Sequence, residues 1–183
     1  VAQWQAVGFC HGVLNSDNIS AIGLTIDYGP FGFMDQFQID HICNHSDQGG
    51  RYAYHRQPQI MHWNMACLAG GMMPILERKQ SAEDAQHALQ TILEKFPEHY
   101  QAAWLNRFRN KLGLVEEHDG DKDLIENLLK IMHENRVDFT NTFRLFAYVN
   151  AQGGIKSNPL RDHFLNRDAF DAWMQTYLDR LGL

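Results

Sequence analysis

Cysteine is scarce in this chain: Cys10, Cys43 and Cys67 are the only three, with no CxxC pair and no even-numbered framework. A disulfide scaffold is therefore not expected, and free thiols in a reducing compartment are the simpler reading. Long apolar runs are missing too. No stretch approaches the roughly 20 apolar residues that cross a bilayer, so no transmembrane span is expected. The first residues lack the charged-then-apolar order of a secretory leader. Basic clusters are absent: Lys and Arg total 16 against 22 Asp and Glu, for a formal charge of −6. Neither nucleic acid nor an acidic membrane surface is expected as a partner. The chain opens on Val1 rather than Met, which reads as an excised segment.

What is present is ordinary for a globular protein. A 44% hydrophobic content with 21% charged residues predicts compact folding rather than disorder, and 183 residues suffice for one core. Residues 1–9 suit a helix with Trp4 and Val7 inward, closed near Gly8. Ile22, Leu24 and Ile26 alternate with Gly23 and Thr25, which predicts a strand over 19–26 buried on one face. Residues 27–56 are rich in Gly, Asp, Asn and His without a period, and a loop of that length is usually functional.

The rest reads as helices. Met61, Met65, Leu68 and Met72 follow Pro58 at helical spacing and predict a central helix up to Pro74. Ser81 with Asp84 opens the next in capping-box fashion, with Leu89, Ile92, Leu93 and Phe96 as its stripe before Pro97. A partner helix runs to Gly113. Asp121 is placed to cap a helix carrying Leu124, Ile125, Leu128 and Met132. Phe139, Phe143 and Phe146 mark another, which Gly153 and Gly154 interrupt. Phe170, Trp173, Met174, Tyr177, Leu178 and Leu181 give the last helix a broad apolar face. The expected fold is mainly α, an irregular helical bundle with one short β-hairpin near the N-terminus. It is organised as a single partial domain, 1–56 carrying the irregular region and 57–183 the bundle.

Chemistry concentrates early. His11-Gly12-Val13-Leu14-Asn15-Ser16-Asp17-Asn18 matches the kinase catalytic-loop pattern H-R-D-x-x-x-x-N at its His and Asn. Nine residues after Asn18, Asp27-Tyr28-Gly29 mirrors the kinase D-F-G. An amide and a carboxylate at those two positions suit a hard divalent cation held beside a triphosphate. The catalytic Asp of kinases is replaced by Val13, which accepts no proton, so a conventional phosphotransferase is not expected. Asp17 is the nearest carboxylate able to take that role.

The string from Gly8 to Ile26, then Asp27-Tyr28-Gly29-Pro30-Phe31-Gly32-Phe33-Met34-Asp35, Ile42-Cys43-Asn44-His45-Ser46-Asp47 and Asp138-Phe139-Thr140-Asn141-Thr142-Phe143-Arg144, resembles the selenoprotein O family of kinase-like adenylyltransferases. This resemblance implies the C-terminal, large lobe of a protein-kinase-like fold. It also implies transfer of AMP from ATP to Ser, Thr or Tyr hydroxyls of proteins. By position, Asn18 and Asp27 would hold Mg²⁺ or Mn²⁺, Asp27 would lie against the nucleotide phosphates, and Asp17 would accept the proton. The family's glycine-containing phosphate loop, its strand lysine and the paired acidic residue would precede Val1. The nucleotide-gripping lobe of the same protein is thus an expected partner, and the isolated chain is expected to be inactive. The redox-active residue that family members often carry near the C-terminus has no counterpart after Cys67. The implied location is the cytoplasm in a bacterium, the mitochondrion in a eukaryote. A competing reading is a catalytically inert, pseudokinase-like interaction module.

Blander assignments compete residue by residue. Asp17-Asn18 by itself reads as a turn or helix cap. His41, Cys43 and His45 alternate but have no fourth zinc ligand. Asp119, Asp121 and Asp123 imitate a calcium loop, yet Leu124 stands where Gly is needed and Lys130 where Glu is needed, so a charged helix start is expected. Methionines at helical spacing read as core filling. His45, Ser46 and Asp47 read as loop hydrogen bonding rather than a nucleophile with its base.

Overall fold

A computed structural model of the chain describes residues 1–149 and 154–182. The fold is mainly helical: α1 (Ala2–Ala6), α2 (Gln57–Leu76), α3 (Ala82–Glu94), α4 (Phe96–Leu112), α5 (Asp121–Asn135), α6 (Phe139–Leu145) and α7 (Arg167–Leu181). Two short strands, β1 (Phe9–Cys10) and β2 (Gly32–Phe33), form an antiparallel pair in which Phe9 faces Phe33 and Cys10 faces Gly32.

Among the helices the periodic signals hold best in the second half. Leu124, Ile125, Leu128 and Met132 of α5 are buried, as are Phe170, Trp173, Met174, Tyr177 and Leu178 of α7. These two helices pack together, and α4 packs on α5 and α1. Phe108, Phe139 and Phe143 fill the space between, with the rings of Phe139 and Phe143 5.1 Å apart. Two of the buried polar tips are satisfied: Trp173 Nε1 donates to Leu124 O at 2.9 Å and the Tyr177 hydroxyl to Leu112 O at 2.7 Å. Ser81 caps α3 through a bond from Asp84 N at 3.1 Å. Gly113 ends α4 in the left-handed conformation. Gly153 lies outside the described residues.

Several expectations are corrected. Residues 19–26 do not form a strand: a single bridge pairs Ile19 with Thr25. Ile22, Leu24 and Ile26 are exposed, the first by 81%. A turn at 20–23, closed by Gly23 N on Ser20 O, bends the segment back on itself, so the alternation meets no second sheet edge. The hairpin near the N-terminus is instead the β1–β2 pair. In α1 the buried residues are Ala2, Gln5 and Ala6; Trp4 is half-buried and Val7 exposed.

Helix α2 is peripheral rather than central. Its buried residues are Gln57, Asn64 and Ala69, whereas Leu68 and Met72 are exposed and Met61 and Met65 half-buried. It continues past Pro74 to Leu76. Phe96 opens α4 instead of closing the α3 stripe, and Ile92 is exposed. Asp121 is the first residue of α5 and makes no cap bond as an N-cap. Its carboxylate accepts from Arg180 Nε at 2.6 Å and lies 3.6 Å from Arg109 Nε.

The irregular segment after β2 is tied down at the start of α6. Phe37 N donates to Val137 O at 2.8 Å, Phe139 N to Asp35 O at 2.7 Å, and Gln36 bridges to Asp138. Gly8, at φ +67°, lies so near the Phe139 ring that a Cβ would sit 2.9 Å from it. The Asp138 motif therefore anchors the loop that leaves the chemistry-bearing region.

Candidate functional site

The loop after β1 runs from His11 to a 3-10 turn, Ser16–Asn18. Its backbone is held by side chains from elsewhere in the chain. Gln57, wholly buried at the first position of α2, donates from Nε2 to Phe9 O and accepts from His11 N, both at 2.9 Å. Asn64, seven residues on and on the same face, donates to Leu14 O at 2.9 Å. Sequence periodicity pointed to the methionines of α2 and missed this amide pair. The available signal was two polar residues spaced i, i+7 in a helix with little other polarity on that face.

His11 is buried, and its Nε2 lies 2.7 Å from Ile26 O, the carbonyl just before Asp27. Trp4 packs on the His11 ring at 5.6 Å and donates from Nε1 to Thr25 Oγ1 at 3.0 Å. The two halves of the candidate site, 11–18 and 25–29, are thereby joined through one imidazole and one indole. Gly12, at φ +84°, sits where three segments converge. A Cβ there would be 2.8 Å from both Cys43 Sγ and Pro30 O.

Asn18 donates from Nδ2 to Val13 O at 3.2 Å, and its Oδ1 has no partner among the described residues. Asp27 adopts φ +57°, one of two non-glycine residues in the left-handed region among those described. Such strain is concentrated at functional sites. Gly29 N closes the turn on Asp27 O at 2.8 Å. Asp17 and Asp27 are exposed, and their carboxylates make no hydrogen bond or ion pair with the described residues. The Ile19–Thr25 bridge brings the ends of the intervening loop together, with Asn18 directly before one partner and Asp27 two residues beyond the other. A cleft of about 540 Å³ is lined by Trp4, Phe9, Asn18, Thr25, Tyr28 and Met61 among others; Asn18 reaches it, whereas Asp17 and Asp27 are not among its lining residues.

Two titration shifts lie near this loop. The hydrogen bond to Cys43 and burial push the Cys10 thiol well above its ordinary range. The same bond draws the Cys43 thiol below its own, against the effect of burial. Among the described residues no cluster of three or more His, Cys, Asp or Glu side chains is placed to hold a metal ion, the His41, Cys43 and His45 run included.

The model of the protein adenylyltransferase SelO family matches residues 1–182. The chain belongs to that family. Among its relatives, the protein nucleotidyltransferase YdiU of Burkholderia multivorans is 51% identical over 189 residues, which is 100% of this chain and 36% of the relative. The corresponding proteins of Burkholderia ambifaria and Burkholderia vietnamiensis are each 50% identical with the same coverage. The chain thus spans 36% of the length of the curated relatives it matches. The family assignment agrees with the resemblance carried by the Gly8–Asp35 and Asp138–Arg144 motifs. No described helix is long and apolar enough to cross a membrane.

Proposed function

We propose that this segment supplies the metal-holding and proton-accepting half of a protein adenylyltransferase that uses ATP. The observation that carries the reading is the state of Asn18 and Asp27. One amide is pinned through Nδ2 with its oxygen unpaired among the described residues, and a carboxylate likewise unpaired among them flanks the other end of the same bridged loop. Both are hard oxygen donors, the chemistry that Mg²⁺ or Mn²⁺ requires. Asn18 and Asp27 would hold the cation, which when bound neutralises charge on the nucleotide phosphates. Asp27 would also lie against the nucleotide phosphates.

The reaction joins the oxygen of a Ser, Thr or Tyr hydroxyl to the α-phosphorus of ATP, breaks the α–β bridging bond and releases pyrophosphate. Asp17 takes the hydroxyl proton on a carboxylate oxygen, the role Val13 cannot fill. His11 fixes the backbone of Ile26, and so the entry to Asp27, through its Nε2 contact.

The phosphate-gripping elements come from a preceding lobe of the same polypeptide. Ile22, Leu24, Tyr28 and Phe33 are each more than half exposed, apolar surface of the kind an interface covers. That lobe seats on them, and the intact protein works in the cytoplasm of a bacterium or the mitochondrion of a eukaryote. The test is protein labelling by full-length enzyme with ATP labelled at the α-phosphate. Asp27→Ala should abolish it and Asn18→Ala should raise the metal requirement; full labelling by Asp27→Ala would refute the assignment.

A further inference from the structure

The candidate loop is gripped on one side by α2 and on the other by a segment that is rigid in its own right. Between 43 and 52, Asp47 accepts from Arg51 N and Tyr52 N, each at 2.8 Å, and Asn44 Oδ1 accepts from Ser46 N at 3.0 Å. Gly50 N closes on Asp47 O at 3.1 Å, and Arg56 Nη1 reaches Gly49 O and Gly50 O at 3.2 Å each. From this braced body two side chains reach the loop. Asn44 Nδ2 donates to Gly12 O at 3.1 Å, and the Tyr52 hydroxyl donates to Asn15 Oδ1. Asn15 is the residue from which the Ser16–Asn18 turn springs, since Asn18 N closes on Asn15 O at 3.0 Å.

Resting on the function proposed above, we propose that Asn44 and Tyr52 are positioning residues that fix the backbone of 12–18 and so aim Asp17 and Asn18. Asn44 holds the loop where Gly12 lets Cys43 and Pro30 approach, and Tyr52 holds it one residue before the turn that carries both functional side chains. Asp47 supports them indirectly by setting the backbone of Tyr52. Functional side chains must be held within about 0.5 Å of their working geometry. Asp17 is exposed and Asn18 half-buried, and among the described residues the one side-chain hydrogen bond of the pair is Asn18 Nδ2 to Val13 O, so that precision has to be imported.

The experiment uses full-length enzyme with α-labelled ATP, titrated with Mg²⁺, and compares Tyr52→Phe, Asn44→Ala, Asn15→Ala and Asn15→Asp. Losing one such hydrogen bond should lower kcat about 5-fold and raise the Mg²⁺ concentration for half-maximal rate, with KM for ATP and Tm unchanged. Asn15→Asp retains the acceptor for Tyr52 and should stay near the parent rate. Tyr52→Phe combined with Asn15→Ala should lose no more than either alone, because both remove one bond. A second arm is independent of activity: hydrogen exchange at the Asn18 amide should quicken about 5-fold in Tyr52→Phe while α5 amides hold their protection. Unchanged exchange overturns the proposal whatever the activity shows. Unchanged kcat and Mg²⁺ dependence in Tyr52→Phe and Asn44→Ala, beside an inactive Asp27→Ala, overturns it while leaving the adenylyltransferase reading in place. Full activity of Asp27→Ala defeats that reading instead.

Discussion

The two ends of the chain treat their apolar residues in opposite ways. From α4 to α7 the large side chains face one another: Phe108, Leu128, Met132, Phe139 and Met174 are buried, and the polar tips of Trp173 and Tyr177 are paired. Between 19 and 33, Ile22, Leu24, Tyr28 and Phe33 stand exposed, although their sequence pattern is no less apolar. The bundle is stabilised by its own contacts. The site region is held mainly by hydrogen bonds from side-chain amides, a histidine and a tyrosine to the backbone and side chains of one loop. Hydrogen bonds of that kind fix the shape of the loop, while the side-chain oxygens of Asp17, Asn18 and Asp27 have no partner among the described residues.

Substitutions sharpen this contrast, the largest effect coming first. Phe108→Ala removes a ring buried between Trp104 and Phe143 and should cost about 4 kcal/mol in chemical denaturation. Asp121→Ala leaves Arg109 and Arg180 without their shared carboxylate and should cost roughly 3 kcal/mol by the same measurement. Gly12→Ala forces a Cβ against Cys43 and Pro30 at positive φ. It should cost about 2 kcal/mol, and exchange protection should fall first in residues 11–18.

The pH dependence is smaller and its sign is fixed. Burial raises the Asp121 carboxyl, but the Arg180 bond, the His118 N–H and the charges of Arg180 and Arg109 outweigh it, so the folded value lies below the ordinary one. Its contribution is complete above the unfolded pKa of about 3.9 and is lost as pH falls through the folded value. The Tm gap between parent and Asp121→Asn should therefore be open at neutral pH and close in acid. The smallest effect is expected at Ile22. Ile22→Ser should change the stability of this segment by less than about 0.5 kcal/mol. In the full-length polypeptide a clearly larger loss would indicate that the proposed preceding lobe covers Ile22.

Legibility followed the same division. The helices of the second half were readable because an apolar stripe at helical spacing predicts burial whenever a partner stripe lies within the same chain, as α5 and α7 illustrate. Residues 19–26 carried an equally clear alternation, yet alternation specifies a face and not the surface that meets it. Asn18 and Asp27 stood out through their spacing from His11. The supports at Gln57, Asn64, Asn44 and Tyr52 did not: the i, i+7 spacing of Gln57 and Asn64 marks a shared face but not its partner, and side chains donating 32 to 50 residues away leave no trace of that partner in local spacing.

By itself the sequence determined the helical class, the residues that cap and end several helices, and the family, because these depend on local spacing and on motifs read along the chain. Only the tertiary structure decided which apolar faces are covered, that Asp121 is an ion-pair centre rather than a cap, and how the loop bearing Asp17 and Asn18 is held. Those outcomes depend on which distant groups compete for the same space and the same hydrogen bonds.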